Sequence, residues 1–147
     1  METTFLRIEP VLPTANMRRD VKWYIEKLGF TPVSGDERYA VLTRGAFCIH
    51  LQWHADTVDD PLLGGSVIKL FVRNIQPLFD EFVERGVIEP GKLQRNTPWG
   101  THEFGLYDLN NNAIFFKVTS RAASNIGLGY AIHANGAHQP GFATERF

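Results

Sequence analysis

The side chains with chemistry to offer lie in three places. Glu9 stands near the amino terminus. Cys48-Ile49-His50-Leu51-Gln52 runs through the first third. The stretch NTPWGTHEFGLYDLNNNAIFF, residues 96–116, carries Trp99, His102, Glu103 and Asp108. Imidazole titrates near neutrality, so His50 is a candidate general base, although a lone strand histidine is more often simply hydrogen-bonded. Carboxylate and imidazole groups hold a divalent cation only where three or four of them converge. An indole in a Pro-Trp-Gly turn can cover a flat ligand, or act only as a lid on its own hairpin. His102 and Glu103 are neighbours on a predicted strand, so they point to opposite faces and cannot both chelate one ion. Cys48 reads as a small apolar filler rather than a reactive thiol.

These residues need elements to position them. Residues 5–12 read as a strand through Leu6, Ile8 and Leu12, with Pro10 demanding an edge or a bulge. A helix follows, capped by Asn16, with Met17, Val21, Tyr24 and Leu28 as its apolar stripe and Gly29 at its end. Three short strands, TPVSG, RYAVLT and AFCIHLQW, complete a first unit over about 5–53. The acidic, Pro- and Gly-containing loop HADTVDDPLLGG links it to a second. That unit, about 66–119, opens on SVIKLFV and a helix capped by Asn74 with Pro77 in its first turn. Strands near 87–96, 101–109 and 112–119 follow.

The two units are an internal repeat. At an offset of 58, Asn16-Met17 matches Asn74-Ile75, Val21 matches Phe79, and Tyr24-Ile25-Glu26-Lys27 matches Phe82-Val83-Glu84-Arg85. Residues 120–147 break the pattern and read as an irregular carboxy-terminal arm, expected to pack on the domain or on a partner subunit.

Strand alternation sorts the side chains. Phe47, Ile49, Leu51 and Trp53 share a core face with Ile68, Leu70 and Val72 and with Ile114, Phe116 and Val118. The opposite face carries Arg7, Glu9 and Val11; Cys48, His50 and Gln52; Val67, Lys69 and Phe71; and Ala113, Phe115 and Lys117. Burying so many polar groups unpaired would cost several kcal/mol. Two readings stand: a wet cleft that holds a ligand, or a network in which Glu9 is neutralised by Lys69, Arg7 or Lys117. Trp23 lies one position off the helical stripe, exposed or at a subunit contact, and Trp53 is expected in the core.

At 147 residues the chain suits one domain with a real core. A formal charge of -1 gives no reason to expect nucleic acid or an anionic membrane surface. No run is long and apolar enough to span a bilayer, and no secretory leader is legible. A single cysteine excludes an internal disulfide framework and fits the cytoplasm.

The repeated modules, the helix ending WYIEKLGF and the final hairpin PWGTHEFGLYDLNNNAIFF together resemble the vicinal oxygen chelate superfamily over roughly residues 5–119. That superfamily includes glyoxalase I, extradiol dioxygenases, fosfomycin-resistance enzymes and bleomycin-resistance proteins. The resemblance implies an α+β fold of two βαβββ modules forming a curved sheet that encloses a cleft. The family's Asp-Pro-x-Gly-Asn hairpin turn is replaced here by Asp108-Leu109-Asn110-Asn111-Asn112, in which asparagine can take the positive φ. The family's metal-ligand positions fall on Glu9, His50, Val67 and Phe115. Only two of these can bind a metal, so no metal cofactor is expected, with a divalent ion through substitute ligands as the alternative. The resemblance thus implies a bleomycin-resistance-like binding protein, acting by sequestration and working as a homodimer. Its small aromatic or polar ligand would meet Glu9, His50, Gln52, Lys69, Phe71, Trp99 and Phe115, with no residue assigned a catalytic role. The alternative function is a metal-dependent lyase, isomerase or dioxygenase. A third possibility is a regulatory module whose arm recruits a partner.

Overall fold

The computed structural model describes residues 2–120; the arm expected beyond Ser120 lies outside the described residues. The first module runs β1 (Val11–Thr14), α1 (Met17–Leu28), β2 (Thr31–Gly35), β3 (Tyr39–Arg44) and β4 (Phe47–Trp53). The second runs β5 (Val67–Phe71), α2 (Ile75–Glu84), β6 (Thr101–Tyr107) and β7 (Ala113–Thr119). The first sheet has the order β1-β4-β3-β2 and the second the order β5-β7-β6. In each, the strand before the helix pairs in parallel with the last strand of its module, so both modules share one winding. This is the α+β repeat that the sequence implies.

The first helix forms where its stripe and caps agree. The Asn16 side chain accepts from the Arg19 amide, and Gly29, at φ 66, closes the helix by donating its amide to Ile25. Met17, Tyr24 and Leu28 are buried on the sheet, as expected, while Val21 is half-buried. The second helix has Asn74 at its cap, but that side chain makes no capping bond. Its hold on the fold comes from Ile75, Phe79 and Phe82, all buried. The two helix ends clasp each other through residues that the repeat makes equivalent. Lys27 Nζ donates to the Arg85 carbonyl (3.0 Å), and Arg85 Nη1 donates to the Glu26 carbonyl (2.7 Å).

Two expected strands are corrected. The first strand begins at Val11, not near residue 5: Phe5, Leu6 and Ile8 are 96, 89 and 93% exposed, with no sheet for them to lie on. The segment 87–96 is not a strand either. Pro90 offers no amide and Gly91 sits at φ 85, so only an isolated bridge, Gln94 with Glu103, survives.

One core joins the modules. Phe82 meets Phe104 and Phe116 edge-on, and Phe104 stacks on Phe116 with centroids 5.3 Å apart. Each such buried ring stabilises the fold by about 1.5–3 kcal/mol. Trp53 is half-buried at the margin, its indole N–H donating to the Ala15 carbonyl, and Trp23 packs edge-on to Tyr24. The β6–β7 turn reaches back to the start of α1. Asn111 takes the positive φ of 62 that the family turn assigns to glycine. Asn110 Nδ2 donates to buried Asp20, and Asn112 Nδ2 donates to the Pro13 carbonyl. Among the described residues no helix is long and apolar enough to cross a membrane.

Candidate functional site

The site residues fall on the sheet faces turned away from the helices. On the first sheet, β4 lies between β1 and β3, with His50 opposite Val11 on one side and Val41 on the other. The His50 amide donates to the Pro10 carbonyl (2.9 Å), which draws the preceding Glu9 alongside the imidazole. Glu9 Oε2 is 3.2 Å from His50 Nε2. Arg7 Nη2 is 2.6 Å from Glu9 Oε1, yet off the hydrogen-bonding direction, so that buried oxygen has no aligned donor. From β3, the Tyr39 hydroxyl meets His50 Nδ1 at 2.6 Å. Cys48 Sγ lies 3.6 Å from His50 Nε2. Desolvation and then the Glu9 carboxylate push the Cys48 thiol up from its ordinary pKa, which disfavours a free nucleophilic thiolate. Gln52, exposed, continues the same face beside Tyr39.

The second sheet carries the other wall. Lys69 stands beside Phe115 in register, its ammonium 6.0 Å from the ring centre, and Lys117 lies 4.7 Å from the centre of Phe71. The Phe115 ring lies over Gly105, where an added Cβ would come within 2.6 Å of it. Trp99 is 60% exposed at the rim, and its indole N–H donates to Glu103 Oε2 (3.0 Å). Glu103 also accepts from the Thr101 hydroxyl (2.6 Å). Burial alone would raise the Glu103 pKa. The hydrogen bonds from Thr101 and Trp99, with the charges of Lys117 and Lys69, outweigh it and hold the carboxyl below its ordinary value.

The fold therefore brings Glu9, His50 and Gln52 to one face, and Lys69, Phe71, Trp99 and Phe115 to another. Among the described residues no hydrogen bond, ion pair or ring contact joins the two groups. Of the neutralising partners weighed for Glu9, Arg7 is the one at hand. Ala113, expected on this wall, lies there beside Phe115, buried at the floor of a small hollow. His102 and Glu103 part as alternation requires, His102 Nδ1 accepting from the Asn96 amide. Tyr39, Glu103 and Tyr107 are wall residues that the sequence reading missed. Glu103 had a signal, since it alternates with the core residues Phe104 and Leu106; Tyr39 had none, because only strand pairing sets it beside His50.

Asp108 is not part of this site. It is buried in the hairpin turn, accepting from the amides of Asn110 and Asn112, from Asn112 Nδ2 and from the Tyr24 hydroxyl. Burial and the charge of Asp108 push that hydroxyl well above its ordinary pKa.

A larger concavity, about 980 Å³, lies elsewhere, between α1 and β2, and contains none of the seven residues named from the sequence. Its walls are largely helix and strand surface such as Val21, Lys22, Glu26 and Val33, without a converging set of buried polar groups. A smaller hollow of about 210 Å³, lined by Glu103, Gly105, Tyr107 and Phe115, marks the chemistry better. The family's four-position metal centre does not fit this donor set. Glu9 and His50 supply oxygen and nitrogen, whereas Val67 and Phe115 supply only carbon.

No protein-family model matches the chain. Its sequence is 26% identical over 121 residues to bleomycin resistance proteins of Geobacillus stearothermophilus and Staphylococcus aureus, covering 73% of this chain and 92% of theirs. In fold it is similar to the bleomycin-binding protein of Streptomyces verticillus solved with copper(II)-bleomycin (TM-score 0.65, 21% identity, 81% of this chain and 98% of that one). The bleomycin resistance determinant of transposon Tn5 aligns with a TM-score of 0.65 at 20% identity over 78% of this chain and 98% of its own. A glyoxalase-related enzyme from Clostridium phytofermentans aligns with a TM-score of 0.62 at 20% identity, over 80% of this chain and 97% of its own. Likeness in sequence to bleomycin resistance proteins, and in fold to bleomycin-binding and glyoxalase-related proteins, supports the resemblance of this chain to the vicinal oxygen chelate superfamily.

Proposed function

We propose that this chain is a bleomycin-resistance-like binding protein that sequesters a small aromatic or polar organic molecule without turning it over. The observation that carries this reading is the open, mixed wall of the second sheet. Phe71, Trp99 and Tyr107 are 57, 60 and 69% exposed there, interleaved with Lys69, Glu103 and Lys117. Aromatic faces flanked by a few fixed charges suit a flat ligand carrying polar groups. One such wall cannot enclose a ligand. A second copy, setting its first sheet against this one, would supply Glu9, His50 and Gln52 as the facing side, so the functional unit is a homodimer. Sequestration needs no resident ion of the family's kind. The metal-dependent lyase or dioxygenase reading is weaker because two of its four donors are carbon. The unpaired Cys48 fits a cytoplasmic setting.

Titration of the protein with bleomycin and a panel of aromatic natural products, followed by tryptophan fluorescence and calorimetry, tests the reading. A saturable response is expected for at least one compound, and Trp99→Phe should remove most of the optical signal. Silence by both methods across the panel would sink the proposal.

A further inference from the structure

Nε2 of His50 has either one proton or one lone pair to offer. Two groups nevertheless converge on it: Glu9 Oε2 at 3.2 Å and Cys48 Sγ at 3.6 Å. The Cys48 thiol is also in hydrogen-bonding contact with the Glu9 side chain, so each of the three groups meets the other two. The three donor atoms all lie within 4.8 Å of one another. Around a tetrahedral zinc ion, bond lengths of about 2.0–2.3 Å put neighbouring N and O donors about 3.3 Å apart, and N and S donors about 3.6 Å apart. The two separations at His50 are close to those edges before any ion has drawn the donors together.

We infer that Glu9, Cys48 and His50 form a site for a divalent cation of the zinc class, complete within the first module. Its ligand set differs from the family's four positions, because Cys48 replaces any donor from the second sheet. A thiolate and a carboxylate neutralise the ion's charge, and imidazole completes a nitrogen, oxygen and sulfur set that suits Zn²⁺ and discriminates against Mg²⁺ and Ca²⁺. The supports are in place as well. The Tyr39 hydroxyl can accept from Nδ1–H, which turns Nε2 toward the ion, and Arg7 holds the free end of Glu9. Three protein ligands leave one position open on the face where the small molecule is proposed to sit. The site stands whether or not that molecule is bound, so it does not rest on the sequestration reading.

The test uses the full chain, stripped with chelator and titrated with Co²⁺ and then Zn²⁺. Expected are one ion per chain, tetrahedral Co²⁺ absorption with a sulfur-to-cobalt charge-transfer band, displacement by Zn²⁺, and a zinc-dependent rise in Tm. Cys48→Ser should abolish the charge-transfer band, and His50→Ala should weaken Zn²⁺ binding at least tenfold. Tyr39→Phe, which removes no ligand, should weaken it about tenfold. Far-UV circular dichroism of the metal-free variants establishes that they fold. Absence of both the cobalt band and the Tm rise in the wild-type chain would overturn the inference. So would unchanged binding in Cys48→Ser and His50→Ala, the result expected if the ion sat elsewhere on the chain. Failure here would leave the response to organic ligands intact, so the two proposals fail separately.

Discussion

Asp108 shows how one carboxylate can be committed wholly to structure. Its two oxygens accept from four donors at 2.7–2.9 Å, in a setting where water cannot replace them. Asp108→Ala leaves those donors without an acceptor, and should lower the unfolding free energy by at least about 3 kcal/mol in urea titration. Tyr24→Phe removes only one donor and should cost about 1–2 kcal/mol. Neither change should alter ligand affinity in the folded fraction, because neither side chain reaches the walls. Residue type alone made Asp108 look as available for chemistry as Glu103. Burial separates them: one closes a turn, while the other holds Trp99 at the rim.

Among the elements, the final hairpin does most to shape the candidate cleft. β6 and β7 pair in register, so Gly105 faces Phe115 and leaves room for the ring to lie flat across the strand. Gly105→Ala would put a methyl group 2.6 Å from that ring and tilt it off the wall. Ligand binding should weaken about fivefold or more, or roughly 1 kcal/mol. Stability should change by less than about 1 kcal/mol, because alanine suits a strand better than glycine does. Fluorescence titration beside urea unfolding separates the two effects, and wild-type affinity would remove Phe115 from the contact surface. Helices and alternating faces were legible at this scale, because the apolar stripe and the period of two are local properties. The segment 87–96 was not: its apolar residues read as a strand, but Pro90 and Gly91 break the ladder it would need.

At the scale of the whole molecule, two sheet faces carry exposed side chains among the described residues. Exposed Val67 and Phe71 on one, with Val11 and Tyr39 on the other, form more apolar surface than scattered surface residues would require. Pairing of these faces between two copies should appear as a dimer in sedimentation velocity. Phe71→Asp places a charge on the second wall, and should shift the protein to monomer and reduce ligand affinity at least tenfold while far-UV circular dichroism stays unchanged. A monomeric wild-type chain with full ligand affinity would contradict the proposed assembly.

Taken by itself, the sequence determined the duplicated α+β plan, the stripe of α1, and the split of β4, β5 and β7 into core and wall faces. Each follows from residue type and short-range period, which need no knowledge of distant partners. Tertiary structure alone decided what stands beside what. The Pro10 carbonyl seats Glu9 against His50, β3 brings Tyr39 to the far ring nitrogen, and the hairpin turn buries Asp108 against Tyr24. Alternation had already put Cys48 on the face of His50. Only the packing of β1 against β4 turned that shared face into three donors around one point, because convergence depends on distances across strands that no local pattern encodes.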